Sequence, residues 1–306
     1  MHSWFVPNSM NAFTIKDIEN LSGVKAHTIR VWEQRYDFIK PHRTDTNIRF
    51  FTNEELKTIL NIALLNKSGY KISHINKMTP EEIGSKIVSL KHPDAQQERL
   101  MNQLVGYMVD FDIDMFEAAV NNQLKYKDID FFINEIIFPF LEKVGILWTT
   151  NQINPAQEHL VTNIIRQKLL VGIEKLTPQY TSGKTALLFL PEGEHHEIGL
   201  LYVFFLLKSR GIKVYYLGAN MPLKDLEPLV KWKNPDYLYT HLTSLSNNFN
   251  MERFLTNIQQ YIHGQPLYVS GTVTLSYKKA IPENVHFKKS LAEVKHFMED
   301  LQEIAV

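Results

Sequence analysis

The chain of 306 residues contains no cysteine. Disulfides, thiolate metal sites and cysteine nucleophiles are therefore excluded, and compartment is left open. Neither sign of charge is in excess, because 33 Lys and Arg face 33 Asp and Glu. A chain without net charge is not drawn as a whole to nucleic acid or membrane, so DNA binding would need a local basic surface. Long apolar runs are missing as well. The run 198–207, interrupted by Tyr202, falls well short of the ~20 residues a membrane helix needs. Residues 1–13 lack the charged segment and apolar stretch of a secretory leader. These absences lead us to expect a cytoplasmic protein with no membrane partner.

What is present is an ordinary globular composition, 44% hydrophobic and 22% charged, at a length that implies two or three domains. Residues 12–80 are polar and basic with short helical patterns, and Thr79-Pro80 marks a boundary because proline restricts its predecessor and commonly opens a helix. Residues 94–180 read as a helical bundle. Leu100, Leu104, Tyr107, Met108, Phe111 and Met115 fall near a 3.6 period, as do Phe131, Ile133, Ile136, Ile137, Phe140, Leu141 and Val144, and both stripes are read as core. Residues 181–306 alternate short β-branched runs with helical stretches. Strands are expected at 185–190, 213–217, 237–242 and 267–269, with helices at 198–209, from 222 and at 290–304. This alternation implies a parallel, doubly wound, Rossmann-like sheet. The expected fold is therefore multidomain, α and α/β.

In the first segment, 13–22 reads as a helix with Ile15, Ile18 and Leu21 inward, Gly23 permits a tight turn, and 25–34 reads as a second helix. Val24, Ile29 and Trp32 are expected in the core, while Lys25, His27, Thr28 and Arg30 are placed to face a DNA groove. Arg35 follows, and 40–50 reads as a hairpin wing whose Arg43 and Arg49 would clamp flanking phosphates. Residues 25–49 hold six Lys or Arg against three acids, a local excess that supplies phosphate attraction, with helix side chains left for base readout. Charge alone would equally fit a solvated basic face. The ordered series Thr14-Ile-Lys-Asp, Ser22-Gly-Val, Thr28-Ile-Arg-Val-Trp-Glu33, Arg43-Thr, Asn47-Ile-Arg-Phe-Phe-Thr52 and Glu55-Leu resembles the MerR family across about 65 residues. The resemblance implies a winged helix-turn-helix that binds a double-stranded operator. Where the family places a glycine pair at the wing tip, this chain has Thr46-Asn47, so a different turn is expected, with Asn47 beside the DNA.

Directly after the first strand of the third segment comes Glu194-His195-His196-Glu197-Ile198-Gly199, where parallel sheets bind ligands. Glu194-x-His196 suits a metal-binding imidazole whose tautomer a carboxylate fixes, and Gly199 would let a ligand tail approach the backbone. Upstream, Trp148 precedes Glu158-His159 by nine residues, and an indole with a nearby Glu-His pair could cover a planar cofactor. Taken alone, the first motif is also an ordinary loop, and the second a core tryptophan with a helix-start acid.

Together, and in this order behind the N-terminal segment, these motifs resemble the cobalamin-binding region of the light-responsive MerR-type repressors (CarH-like). The resemblance implies a four-helix cap with Trp148, Glu158 and His159 above the corrin of adenosylcobalamin or methylcobalamin. It further implies His196 as the lower cobalt ligand with Glu194 behind it, and a nucleotide tail near Gly199, Ser270 and Gly271. A homo-oligomer, dimer or tetramer, is expected on a palindromic operator, as repressor or other regulator. Three departures stand out. The Ser-x-Leu of the family falls somewhere in 240–245 without a clean match. Ser270-Gly271 replaces Gly-Gly, which puts an extra side chain near the tail. Thr149 stands where photoreceptor members carry a histidine, which bears on light response more than on cofactor binding. The alternatives are a cofactor-free dimerisation or interaction module, a corrinoid enzyme disfavoured by the DNA-binding head, and a zinc regulator. Zinc is disfavoured because four His and Glu side chains on one short loop cannot all converge on a tetrahedral centre.

Overall fold

The computed structural model describes residues 11–44, 46–177, 182–243, 249–262 and 264–303. The leader reading of the first ten residues, Asp45 of the basic stretch, Ser244 and Leu245 of the unmatched triplet, and the last residue of the expected closing helix lie outside them. The chain forms two compact units, Met1–Ile164 and Ile165–Val306.

The first unit opens with α1 (Ile15–Ser22) and α2 (Ala26–Arg35), the two-stranded hairpin β1 (His42–Arg43) and β2 (Arg49–Phe50), and α3 (Asn53–Lys67). Local chemistry sets these boundaries. Thr14 and Asp17 exchange reciprocal bonds at the start of α1, and Thr52 and Glu55 do the same for α3. Each pair satisfies donors that a helix N-terminus leaves unpaired. Gly23 closes α1 at φ 73°, a left-handed conformation that glycine takes without a Cβ penalty. Ile18, Leu21, Ile29, Trp32, Ile39, Phe51 and Leu56 are buried as the core of this head. Val24, expected in that core, is only partly buried.

After α4 (Ile72–Ile75) and α5 (Pro80–Val88) the helical region follows as α6 (Pro93–Val109), α7 (Ile113–Leu124), α8 (Ile129–Phe132), α9 (Phe138–Thr149) and α10 (Pro155–Glu174). Two stripes depart from the expected phase. Phe111 takes φ 56° and turns the chain between α6 and α7, so Met115 falls in the first turn of a new helix and is exposed. A π-helical turn spans Ile133–Ile137. It ends just before Pro139, which has no N–H to continue the i→i−4 ladder. Ile133, Ile136, Ile137, Phe140 and Val144 stay buried across it, whereas Leu141 does not.

The second unit is a parallel sheet of five strands: β3 (Thr185–Pro191), β4 (Lys213–Met221), β5 (Tyr237–His241), β6 (Leu267–Ser270) and β7 (Val285–Lys288), in the order β4-β3-β5-β6-β7. Helices α11 (Glu197–Ser209), α12 (Leu223–Lys233), α13 (Met251–Tyr261), α14 (Val273–Ser276) and α15 (Leu291–Glu303) complete it. Leu187, Phe189, Leu226, Leu238, Ile258, Leu267 and Val269 form its core. Strand β7 was not anticipated, because the alternation of Val-His-Phe-Lys runs for only four residues, too short to stand out. The strand order reverses direction at β3, so the carboxyl ends of β3 and β5 frame the crevice where doubly wound sheets place ligands. Among the described residues no helix is long and apolar enough to cross a membrane.

Candidate functional site

On the DNA-binding candidate face, α2 shows Ile29 and Trp32 buried and His27, Arg30 and Arg35 exposed. Thr28 is partly buried. Lys25 sits at the N-cap of α2 and pairs with Glu19 at 3.2 Å. Arg30 and Arg35 have no ion-pair partner among the described residues. The wing differs from a simple pair of phosphate clamps. Asn47 takes φ 65°, a conformation asparagine tolerates better than most non-glycine residues, and it replaces the expected glycine turn. Arg43 donates to Asn47 Oδ1 at 2.8 Å, and Arg49 pairs with Glu33 on α2 at 3.1 Å. Both arginines therefore brace the wing from within.

In the helical region of the same unit, Trp148 lies in the last turn of α9 and is 46% exposed, which removes the core reading of that indole. Glu158 and His159 stand in the first turns of α10 and pair with each other at 2.8 Å. The residue before them, Gln157, is fully buried, and sequence reasoning passed over it. Its Oε1 accepts from the Asn154 amide at 2.7 Å, and its Nε2 donates to Val109 O at 3.0 Å. The same carbonyl accepts from Asn53 of α3 at 2.9 Å and from Asn11 at 3.3 Å. Asn154-x-x-Gln157 has the spacing of a capping box, the one sequence signal that could have flagged it. Lys143 of α9 donates to Leu21 O at the end of α1 at 2.9 Å and to Asn102 Oδ1 at 3.3 Å. Burial holds its pKa below the usual lysine value.

In the second unit the loop after β3 brings Glu194 and His196 together. Glu194 is completely buried and His196 about half exposed. Glu194 Oε1 lies 2.7 Å from His196 Nδ1 and accepts the backbone amides of His195 and His196, while Oε2 accepts the amide of Thr243 beyond β5 at 2.9 Å. One carboxylate thus ties together the two loops that frame the crevice. Burial pushes its pKa up, but the bonds from His196 and Thr243 outweigh that and leave it below the ordinary value. An ionised carboxylate can only accept, so Nδ1 carries the hydrogen that faces Glu194, which makes Nε2 the ring nitrogen suited to act as a lone-pair donor in the neutral tautomer. Glu197 is committed elsewhere, to Arg166 at 3.0 Å and Tyr216 Oη at 2.9 Å. The loop's carboxylates therefore diverge, and among the described residues no group of three or more His, Cys, Asp or Glu is arranged to hold a metal ion.

The residues expected around a ligand tail are close-packed. A Cβ on Gly199 would meet the His241 ring at 2.3 Å, and one on Gly271 would meet Leu242 O at 2.2 Å. Ser270 is buried, with its Oγ 2.7 Å from His241 Nδ1. Burial pushes His241 down to about 4, so it is neutral at neutral pH. His241 was visible only as part of the unmatched triplet.

Comparison with known proteins defines the class. Residues 13–82 match the family described as MerR HTH family regulatory protein, and residues 100–171 match the B12 binding domain. The chain is a MerR-type DNA-binding regulator carrying a B12-binding domain, and cobalamin is the cofactor class that this domain takes. It is homologous to two repressors of Myxococcus xanthus. It is 26% identical to the HTH-type transcriptional repressor CarH over 277 residues, which cover 87% of this chain and 91% of CarH. It is 28% identical to the HTH-type transcriptional repressor CarA, over 72% of this chain and 73% of CarA. Among solved structures, the monomethylamine corrinoid protein of Methanosarcina barkeri aligns at TM-score 0.54 and 13% identity, covering 68% of this chain and 99% of that one. At that identity the likeness concerns the fold.

Proposed function

We propose that this protein is a cytoplasmic regulator, not an enzyme, in which corrinoid binding sets self-association and thereby operator affinity. The division of labour follows residues 12–80 for DNA, 94–180 for the helical cap and 181–306 for the sheet. The observation that carries the corrinoid half is the buried Glu194 on His196 at the sheet's switch point. Its donor set fits the group, because His196 would offer Nε2 to the cobalt while Glu194 holds the tautomer through Nδ1. Bound adenosylcobalamin or methylcobalamin would supply a cobalt centre for the His196 nitrogen to hold. Trp148, Glu158 and His159 are proposed for the upper face, a role resting on their spacing and exposure. Ser270, Gly271 and Gly199 belong to the tail side.

For DNA, the exposed Lys25, His27 and Arg30 and the partly buried Thr28 at the start of α2 are proposed for the major groove, and Arg35 for phosphate. Arg43, Asn47 and Arg49 form a wing braced before DNA arrives, so little ordering cost falls on binding. One short helix reads only a half-site, so a two-fold assembly on a palindromic operator follows. Coupling has a physical route within the first unit. Gln157, beside Glu158 and His159, shares the Val109 carbonyl with Asn53 of α3, and Lys143 holds the end of α1. A shift at the start of α10 would disturb how the head is seated.

The test is to mix the protein in the dark with adenosylcobalamin and with methylcobalamin, desalt, and record visible spectra beside His196→Ala. Retained colour that the variant loses or shifts is expected, and its absence from the wild type would sink the cofactor reading. Size-exclusion profiles and operator affinity that stay unchanged by bound corrinoid would sink the linkage.

A further inference from the structure

Gly199 lies in the first turn of α11, beside the crevice between the ends of β3 and β5. A glycine there opens space on the sheet side of the helix. That space is taken by this chain's own imidazole, since a Cβ on Gly199 would sit 2.3 Å from both Cδ2 and Nε2 of His241. The ring is also held from behind, because Ser270 Oγ lies 2.7 Å from its Nδ1. Ser270 is itself 3% exposed. The segments beyond β5 and β6 are pressed together, with Gly271 at φ 101° against the Leu242 carbonyl. Gly199, Ser270 and His241 thus form a closed contact between the first turn of α11 and the carboxyl ends of β5 and β6, at the place where Gly199 would otherwise admit a ligand. His196 keeps its own carboxylate partner, Glu194.

We propose that His241, latched by Ser270, is a plug in the tail crevice that makes the site select corrinoids without a bulky nucleotide tail over those that carry one. A tail entering beside Gly199 has to displace the ring and break its bond to Ser270, whereas a corrin ring held through His196 does not. The specificity resides in this chain's side chains and rests on the corrinoid reading above.

The experiment compares wild type, His241→Ala and Ser270→Ala with two probes, cobinamide, which lacks the tail, and hydroxocobalamin, which has it. Equilibrium dialysis gives each affinity, and thermal melting checks that each variant is folded. Ser270→Ala frees the ring without deleting it, so the test survives if His241→Ala fails to fold. Wild type is expected to hold cobinamide at least about tenfold more tightly than hydroxocobalamin. Both variants are expected to recover most of that gap for hydroxocobalamin and to leave cobinamide unchanged. A cobalamin affinity equal in all three proteins, with cobinamide still bound, overturns the plug and leaves the corrinoid reading intact. If none of the proteins holds either probe, the corrinoid reading itself falls, and the plug falls with it.

Discussion

The winged head and the crevice at the end of the sheet solve opposite problems with the same kinds of residue. In the head, Ile29 and Trp32 are buried so that His27, Arg30 and Arg35, two to three residues away on the same short helix, stand in solvent. Its charges are exposed, and its two wing arginines are braced by partners within the head. In the crevice the decisive polar groups are inside. Glu194 and Ser270 are buried, and each bonds to a side chain or amide that is 2 to 49 residues away in sequence. A surface designed to meet a polyanion keeps its charges hydrated until contact. A site designed to hold one ring nitrogen in one tautomer has to exclude water, and it needs every buried lone pair answered.

The contrast can be broken from the head first. Trp32→Ala removes a large side chain from a small core and is expected to cost about 3–5 kcal/mol. Operator binding should disappear in a mobility-shift assay while corrinoid colour is retained. Loss of colour as well would show that the two regions do not stand apart. A smaller effect is expected from Gln157→Ala, about 1–3 kcal/mol, because the Asn154 amide loses its acceptor and the Val109 carbonyl loses one of three donors. Denaturant titration reads the stability. The sharper readout is operator affinity with and without corrinoid, whose difference should shrink if Gln157 carries the coupling.

Arg30→Ala should leave folding untouched and weaken operator binding by about 1–3 kcal/mol if Arg30 reads a base edge. If it meets only phosphate, the loss should be uniform across operator sequences and the salt slope should fall by about one. The smallest effect concerns the sheet. Asp236 accepts from Lys184 Nζ at 3.0 Å and from the Thr185 amide at 2.8 Å, which ties the start of β5 to that of β3. Burial raises its pKa, but these bonds outweigh it and leave the group below the ordinary carboxylate value. A depressed folded pKa contributes stability that is present above the unfolded pKa of about 3.9 and lost as pH falls through the folded one. Urea midpoints measured through that acid range should fall in the wild type and flatten in Asp236→Asn. An unchanged acid limb would remove Asp236 from the account.

Much of the head was legible because its determinants are local. Thr14 with Asp17, Gly23, and the apolar spacing of Ile18, Leu21, Ile29 and Trp32 act over a few residues, and short-range geometry is what sequence spacing encodes. The Glu194-His196 pair was legible for the same reason, lying two residues apart at the end of a strongly apolar strand. In the stripe through α8 and α9, Ile133, Ile136, Ile137, Phe140 and Val144 were legible as core, but the π turn was not, because the 3.6 period does not anticipate its extra residue. Strand β7 was too short to announce itself.

By itself, the sequence determined the order of head, helices and sheet, the helix caps, the basic face of α2 and the carboxylate behind His196. Tertiary structure alone decided that Gln157 would meet Asn53 at one carbonyl, that Arg49 would turn onto Glu33, and that His241 would lie against Gly199. Each of these is a contact between segments far apart along the chain. Their partners are chosen by sheet order and helix packing, and no periodicity within a single segment carries that information.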